Sequence, residues 1–202
     1  MATSALLVST APRWIGTARV PERLVKAGFA VSLLTPMNTL AEKSRFVSRV
    51  RHLPDDATPL QWVHAFTAAI DAFAPRIVIS CGDTAQRLMQ TLVLTPPPGM
   101  PPATHLRLAA LVNESIGDPE HYRTSIDKTL LAPAAQALGV RVPPFAIVAT
   151  PEDAESFGAA HNFEVVLKRS FGSAGDRVVI VSSRESLAQA FSRLSAKADL
   201  NL

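Results

Sequence analysis

Three observations predict an α/β protein built from two units. Over the first hundred residues, short apolar runs alternate with stretches of helical spacing. A proline-dense segment then breaks the pattern, and after it two β-branched strands flank a loop of small residues. Alternation of the first kind favours a parallel, doubly wound sheet with helices on both faces. The later pattern suits an α+β unit. The expected boundary lies at 103/104, giving units 1–103 and 104–202.

The elements follow in order. Ala5–Ser9 is a short apolar run that reads as a buried strand, and Val20–Ala27 has helical spacing closed by Gly28. Ala30–Leu34 is a second buried-type run, ended by Thr35 and Pro36, and an irregular stretch is expected after it. Leu60–Phe73 places Trp62, Val63, Phe66, Ile70 and Phe73 at helical intervals before Pro75. Arg76–Ser80 (RIVIS) is the clearest strand, with Asp83 and Thr84 placed to start a helix through Met89. Thr95–Ala103 holds five of the sixteen prolines and continues neither regular structure. It reads as a surface loop or, preferably, as the boundary.

Beyond it, His105–Ile116 and Ile126–Leu138 read as helices, the second closed by Gly139. Phe145–Val148 is expected as a short strand. Thr150 resembles an N-cap, with Pro151 at the first helical position and Glu152 and Asp153 at the positive helix end. Val165–Lys168 and Val178–Val181 are strands around the loop Arg169–Asp176, and Ser183 caps a last helix through Leu194.

Composition narrows the function. With 48% apolar residues the chain can bury a sizeable core. One cysteine, Cys81, excludes an internal disulfide framework and fits a reducing cytoplasm. No basic leader and no apolar run of about 18 residues is present, so no membrane association is expected. The net charge is +3, and its densest cluster, Arg45, Arg49 and Arg51, lacks interleaved aromatics; it reads as a solvated face, with no nucleic-acid partner. The five histidines show no metal-ligand spacing, so no metal site made by this chain alone is expected. Asp83 is expected to cap the helix after RIVIS, Cys81 to be a packed thiol, and Ser9-Thr10 to form a turn.

Two segments carry candidate chemistry. In VVLKRSFGSAGDRVVIV, Lys168 ends the incoming strand and Ser170, Gly172, Ser173, Ala174 and Gly175 form a loop whose backbone N–H groups can approach an anion closely. Taken alone, this segment is read somewhat better as an ordinary hairpin with a flexible tip and a solvated lysine. No GxxxxGK[ST] and no GxGxxG is present, which disfavours a Walker-type NTPase and a standard dinucleotide domain. Earlier, Ser125-Ile126-Asp127-Lys128 opens a helix. A lysine in the first helical turn opposes the macrodipole and gains no local stability. It makes better sense beside a phosphate drawn to the helix start, although a tolerated surface lysine is common. Arginine outnumbers lysine fifteen to five, so each lysine is somewhat more informative than usual.

The order Asp-Lys, helix, Gly-Val-x-Val-Pro-Pro, strand, capped helix, then a strand ending in Lys before a small-residue loop resembles the first ATP-binding subdomain of the ATP-grasp superfamily. The resemblance covers about 106–191. The preceding alternation is similar, by order more than by motif, to the Rossmann-like preATP-grasp domain. The resemblance implies that Lys128 and Lys168 contact ATP phosphates and that the loop Ser170–Gly175 folds over the triphosphate. Arg169 stands where proline is frequent, and the loop has fewer glycines than in many relatives, which leaves its flexibility open.

The family's adenine-hinge strand, ribose-binding acid and magnesium ligands are not found before Leu202, so the second unit is expected to be incomplete. The implied function is the N-terminal part of an ATP-dependent ligase. It would activate an unknown carboxylate as an acyl-phosphate for attack by an amine or other nucleophile. Its cofactors would be ATP and magnesium, the latter held by the missing C-terminal part. Phosphoryl transfer depends on metal charge and positioned donors, so the chain alone is expected to be inactive. The alternative is a non-catalytic α/β module that binds a ligand or partner. An uncovered apolar face on the second unit leads to the expectation of self-association into a homo-oligomer, or of poor order near the C-terminus.

Overall fold

The computed structural model describes residues 2–172 and 177–196. The chain divides into two compact units, Met1–Tyr122 and Arg123–Leu202. In the first, strands β1 (Thr3–Val8), β2 (Phe29–Pro36), β3 (Val47–Leu53) and β4 (Ile77–Ser80) form one parallel sheet in the order β3-β2-β1-β4. Helices α1 (Ile15–Lys26), α2 (Pro59–Phe73), α3 (Asp83–Leu94) and α4 (Pro102–Ile116) pack on it.

Strand alternation explains why β1 is apolar without a break from Ala5 to Val8. In β1, Leu6 and Val8 join a core with Trp62 and Phe66 of α2, Met89 of α3 and Leu108 and Val112 of α4. Leu7 points the other way, into a core with Val31, Leu33 and residues of α1. Both faces are therefore buried, and a two-sided strand needs no polar positions. Trp62 and Phe66 stack with ring centroids 4.8 Å apart, both fully buried.

Strand β3 lies within the stretch expected to be irregular. Its sequence, VSRVRHL, hides its nature because it is an edge strand: residues 48–50 are exposed, and cations on an edge discourage pairing with other chains. Arg49 is not merely solvated. Its guanidinium lies over the Phe73 ring and donates to the carbonyls of Ala72 and Phe73, satisfying the end of α2.

The proline-rich segment is a turn inside the first unit. Helix α4, which follows it, covers the free edge of β4: the Val78 N–H donates to Ser115 Oγ at 3.0 Å, and Arg76 pairs with Glu114. The units part between Tyr122 and Arg123, later than the expected 103/104. Tyr122 is buried and donates through its hydroxyl to Asn113 Oδ1 at 2.5 Å.

The second unit holds α5 (Tyr122–Ile126, which begins on the last residue of the first unit), α6 (Lys128–Ala137), α7 (Pro151–Ala160), strands β5 (Val165–Lys168) and β6 (Val178–Val181), and α8 (Arg184–Ser195). The two strands form an antiparallel hairpin pairing Val165 with Val181 and Lys168 with Val178. Val165, Leu167, Val179 and Val181 pack with Ala154 of α7 and Leu187 and Ala190 of α8. Both helices begin with capping boxes, Thr150 with Asp153 and Ser183 with Ser186. Gly158 lets α7 approach α8: a Cβ there would lie 2.8 Å from Leu187 Cδ2.

The expected strand Phe145–Val148 does not form. Residues 140–149 have no regular structure, Ile147 is exposed, and only Val148 joins the core. Pro143 and Pro144 remove two backbone donors next to the run, and it finds no ladder partner among the described residues.

Candidate nucleotide-phosphate site

The site starts from a cap. Asp127 interrupts the expected helix 126–138, separating α5 from α6, and its Oδ1 accepts from the Thr129 N–H at 2.9 Å and the Thr129 hydroxyl at 2.7 Å. The carboxylate is 7% exposed and sits at a positive helix end, where two donors offset its loss of water. This cap fixes Lys128 as the first residue of α6.

From that position Lys128 binds the loop after β5 twice. Its N–H donates to the Ser170 carbonyl at 3.0 Å, and its ammonium donates to the Gly172 carbonyl at 2.6 Å. Lys128, Ser170 and Gly172 are thus brought together. A carbonyl satisfies one ammonium proton without neutralising the charge, so the cation remains available to an anion.

Gly172 is required where it stands. Its φ is +140°, and a Cβ would meet Arg177 Cδ at 2.7 Å. The Arg169 N–H donates to the Arg177 carbonyl at 3.1 Å, carrying the hairpin one bond past Lys168 and Val178. Lys168 is exposed, and strand alternation puts it on the face opposite Val165 and Leu167, beside Val166 and Ile180. Ser173, Ala174 and Gly175, also expected in the site, lie outside the described residues.

Neither the cap at Asp127 nor the place of Arg177 against Gly172 is among the features expected from the sequence. The Asp-x-Thr spacing at a helix start was a legible signal for the first. Nothing local signals the second, because the contact depends on the hairpin register.

The other candidates resolve without chemistry. Asp83 is the first residue of α3, whose cap is Gly82 with no side-chain bond, so Asp83 only faces the positive helix end. Cys81 is a packed thiol whose pKa burial pushes up to about 11, against smaller opposing contributions from Thr17 and Val8. Ser9 Oγ accepts from the Ala11 N–H at 3.3 Å, which makes a turn. A groove of about 430 Å³ lined by Leu60, His64, Thr67, Asp71 and Met100 belongs to the first unit and contains none of the site residues. No helix among the described residues is long and apolar enough to cross a membrane.

Known structures share this arrangement of elements. No family profile matches the chain, and no curated protein matches it at significant similarity. Among solved structures, biotin carboxylase from Campylobacter jejuni in its βγ-ATP complex matches with a TM-score of 0.63 and 17% identity, over 98% of this chain and 42% of that one. The ADP complex of N5-carboxyaminoimidazole ribonucleotide synthetase matches with a TM-score of 0.60 and 15% identity, over 96% and 44%. An L-amino acid ligase from Bacillus licheniformis matches at 0.53 and 14%, over 96% and 42%. All three are ATP-grasp enzymes. The chain has the ATP-grasp fold over the part that it spans, which is less than half the length of each of these enzymes.

Proposed function

We propose that the second unit binds the phosphates of ATP through Lys128 and Lys168, as part of a ligase that activates a carboxylate as an acyl-phosphate. The observation that carries this reading is the double contact of Lys128 with the loop that follows Lys168. It supports one phosphate-binding locus made from a helix start and a hairpin, although the two segments are some forty residues apart in sequence. The fold shared with three ATP-grasp enzymes supports the nucleotide as ligand.

The chemistry follows from the side chains. Lys128 at the start of α6 adds its charge where helix N–H groups also favour an anion. Lys168 supplies a second point charge from the open face of the hairpin. Neither transfers a proton; together they offset phosphate charge and orient the chain of phosphates.

Magnesium, which the fold family implies, is assigned no ligand among the residues described. It takes oxygen ligands in octahedral geometry, and no group of three or more His, Cys, Asp or Glu side chains is gathered among the described residues. No step is therefore assigned to a metal held by this chain. The proposal is that residues 1–202 bind nucleotide weakly and do not turn it over.

Calorimetric titration with ADP tests the reading. Lys168→Ala should weaken binding about tenfold or more, the effect of losing one charged contact. Equal affinity in both proteins would remove Lys168 from the site. Magnesium-dependent ATPase activity of the purified chain, lost in Lys168→Ala, would overturn the claim of inactivity.

A further inference from the structure

We infer that one edge of the first unit is a docking surface for an acidic segment of another protein. The segment is bound through Arg19, Arg23 and Lys26 of α1, Arg45 of the loop between β2 and β3, and Arg49 of β3. The inference concerns the first unit alone and does not depend on the nucleotide-phosphate reading.

Charge is unevenly distributed along the chain. Residues 1–53, up to the end of β3, hold eight Lys and Arg against two Asp and Glu, whereas 54–202 hold twelve against fifteen. The fold then gathers the cations. Arg19, Arg23 and Lys26 are spaced at i, i+4 and i+7, which is one face of a helix. Because α1 joins the parallel strands β1 and β2, its last turn lies at the end of the sheet where β2 and β3 begin. Arg45 and Arg49 flank Val47, the first residue of β3. All five residues are exposed. The electrostatics agree with this grouping. The Glu22 carboxyl is held below its ordinary range first by the bond from Lys26, and further by Arg23 and by Arg45 from the neighbouring loop.

The cations are in excess here. Among the described residues, Lys26 alone of the five bonds a carboxylate, that of Glu22. Glu42 pairs instead with His52, and Asp55 and Asp56 lie beyond the far end of β3 from Arg45. Elsewhere in the first unit arginines have acid partners: Arg76 pairs with Glu114 and Arg107 with Asp71. Two of the guanidinium groups are also held in place, Arg45 at 4.9 Å from the Phe46 ring centroid and Arg49 at 4.7 Å from that of Phe73. Arg49 donates twice to the end of α2, leaving its other N–H groups for a further acceptor. Stacked forks are ordered before a carboxylate arrives, so less entropy is lost in binding it.

The chemistry selects the occupant. Strand addition along β3 is opposed by its cations and by the bulge at Ser48, so the contact is made by side chains. Phe46 and Phe73, the rings at this edge, already carry guanidinium groups and offer no platform for stacked bases, which disfavours single-stranded nucleic acid. A second copy lacks a matching run of acids: in its densest, 152–155, Asp153 serves the α7 cap and Glu155 pairs with Arg184. The carboxylates of an acidic polypeptide fit the arginine fork and need no ring.

Fluorescence anisotropy of a labelled oligoglutamate peptide, titrated with the full chain at low salt, tests the surface. The unaltered chain should bind it, with affinity that falls as salt is added. Arg23→Glu with Arg45→Glu should weaken binding about tenfold or more at an unchanged melting temperature, since both positions are exposed. Arg141→Glu with Arg193→Glu, at exposed positions of the second unit, changes the net charge equally and should retain affinity within about twofold. No binding by the unaltered chain, or equal loss in the two double variants, would overturn the proposal. Should the reversal prevent folding, Arg23→Gln with Arg45→Gln removes the same charges without reversing them, and unchanged affinity there would overturn it too. A labelled oligouridylate that binds tighter than the peptide through the same two arginines would overturn it in favour of a nucleic-acid surface.

Discussion

The first unit buries its sheet on two sides, whereas the second covers its hairpin on one. In the first, Leu6 and Leu7 are neighbours in sequence, face opposite ways, and are both fully buried. In the second, Leu167 packs against the core with α7 and α8, while Val166 and Ile180 on the other face are 50% and 83% exposed. Two closed faces leave the sheet of the first unit covered on both sides by apolar packing. One open face leaves Lys168 and apolar surface accessible, which is what a site requires. The candidate chemistry therefore lies in the unit with the smaller core.

The largest effect expected from this contrast is in the scaffold. Phe66→Ala removes a fully buried ring stacked on Trp62 and should destabilise the first unit by about 3–5 kcal/mol in a denaturant titration. Leu187→Ala, in the one-sided core, should cost about 2 kcal/mol, the low end for such a truncation. Equal losses would show that the second core is as tightly packed as the first.

Cys81 tests the closed scaffold in another way. Its pKa of about 11, against an ordinary 9.0, should make disulfide exchange with an aromatic disulfide reagent at pH 8 about a hundredfold slower than for a small free thiol. A folded pKa raised above the unfolded one gives stability that is complete below about pH 9 and is lost as pH climbs through 11. Reaction at the free-thiol rate would mean that the C-terminal end of β4 opens readily.

Smaller effects belong to the second unit. Thr150→Ala removes one half of a capping box and should cost about 1 kcal/mol in thermal or denaturant melts. Asp153, the other half, has a pKa held below the usual carboxylate value, chiefly by its bond from the Thr150 backbone. A lowered pKa gives stability that is present above the unfolded value and is lost as pH falls through the folded one. Melts of Asp153→Asn and the unaltered chain should thus differ at pH 7 and converge toward pH 3. Ile180→Thr on the open face should change stability by less than about 0.5 kcal/mol, as expected for an exposed position.

Local sequence determined a good deal of this protein. The strands β1, β2, β4, β5 and β6, the helix α2, and the caps Thr150 and Ser183 were legible because each depends on periodicity or on a side chain within three residues of its partner. The ATP-grasp fold was legible from the ordered motifs around Lys128 and Lys168. Elements at the margins were not. Strand β3 carries its arginines because it lies at the edge of the sheet, and Phe145–Val148 has strand-like residues without a neighbour to pair with. Strandness in both cases depends on the partner, which sequence spacing does not encode.

The division of the chain is a similar case. Prolines 96–102 mark where regular structure stops, and the sequence shows that plainly; whether a domain stops there depends on where α4 packs, and it packs on β4. The two lysines divide the same way. Their presence, their scarcity and their order were in the sequence. That Lys128 reaches the loop after Lys168, through Ser170 and Gly172, was decided only when the Asp127 cap and the hairpin register set helix start against loop. A hydrogen bond between residues forty-four apart exists only once the intervening chain has folded, because only then are donor and acceptor within 2.6 Å.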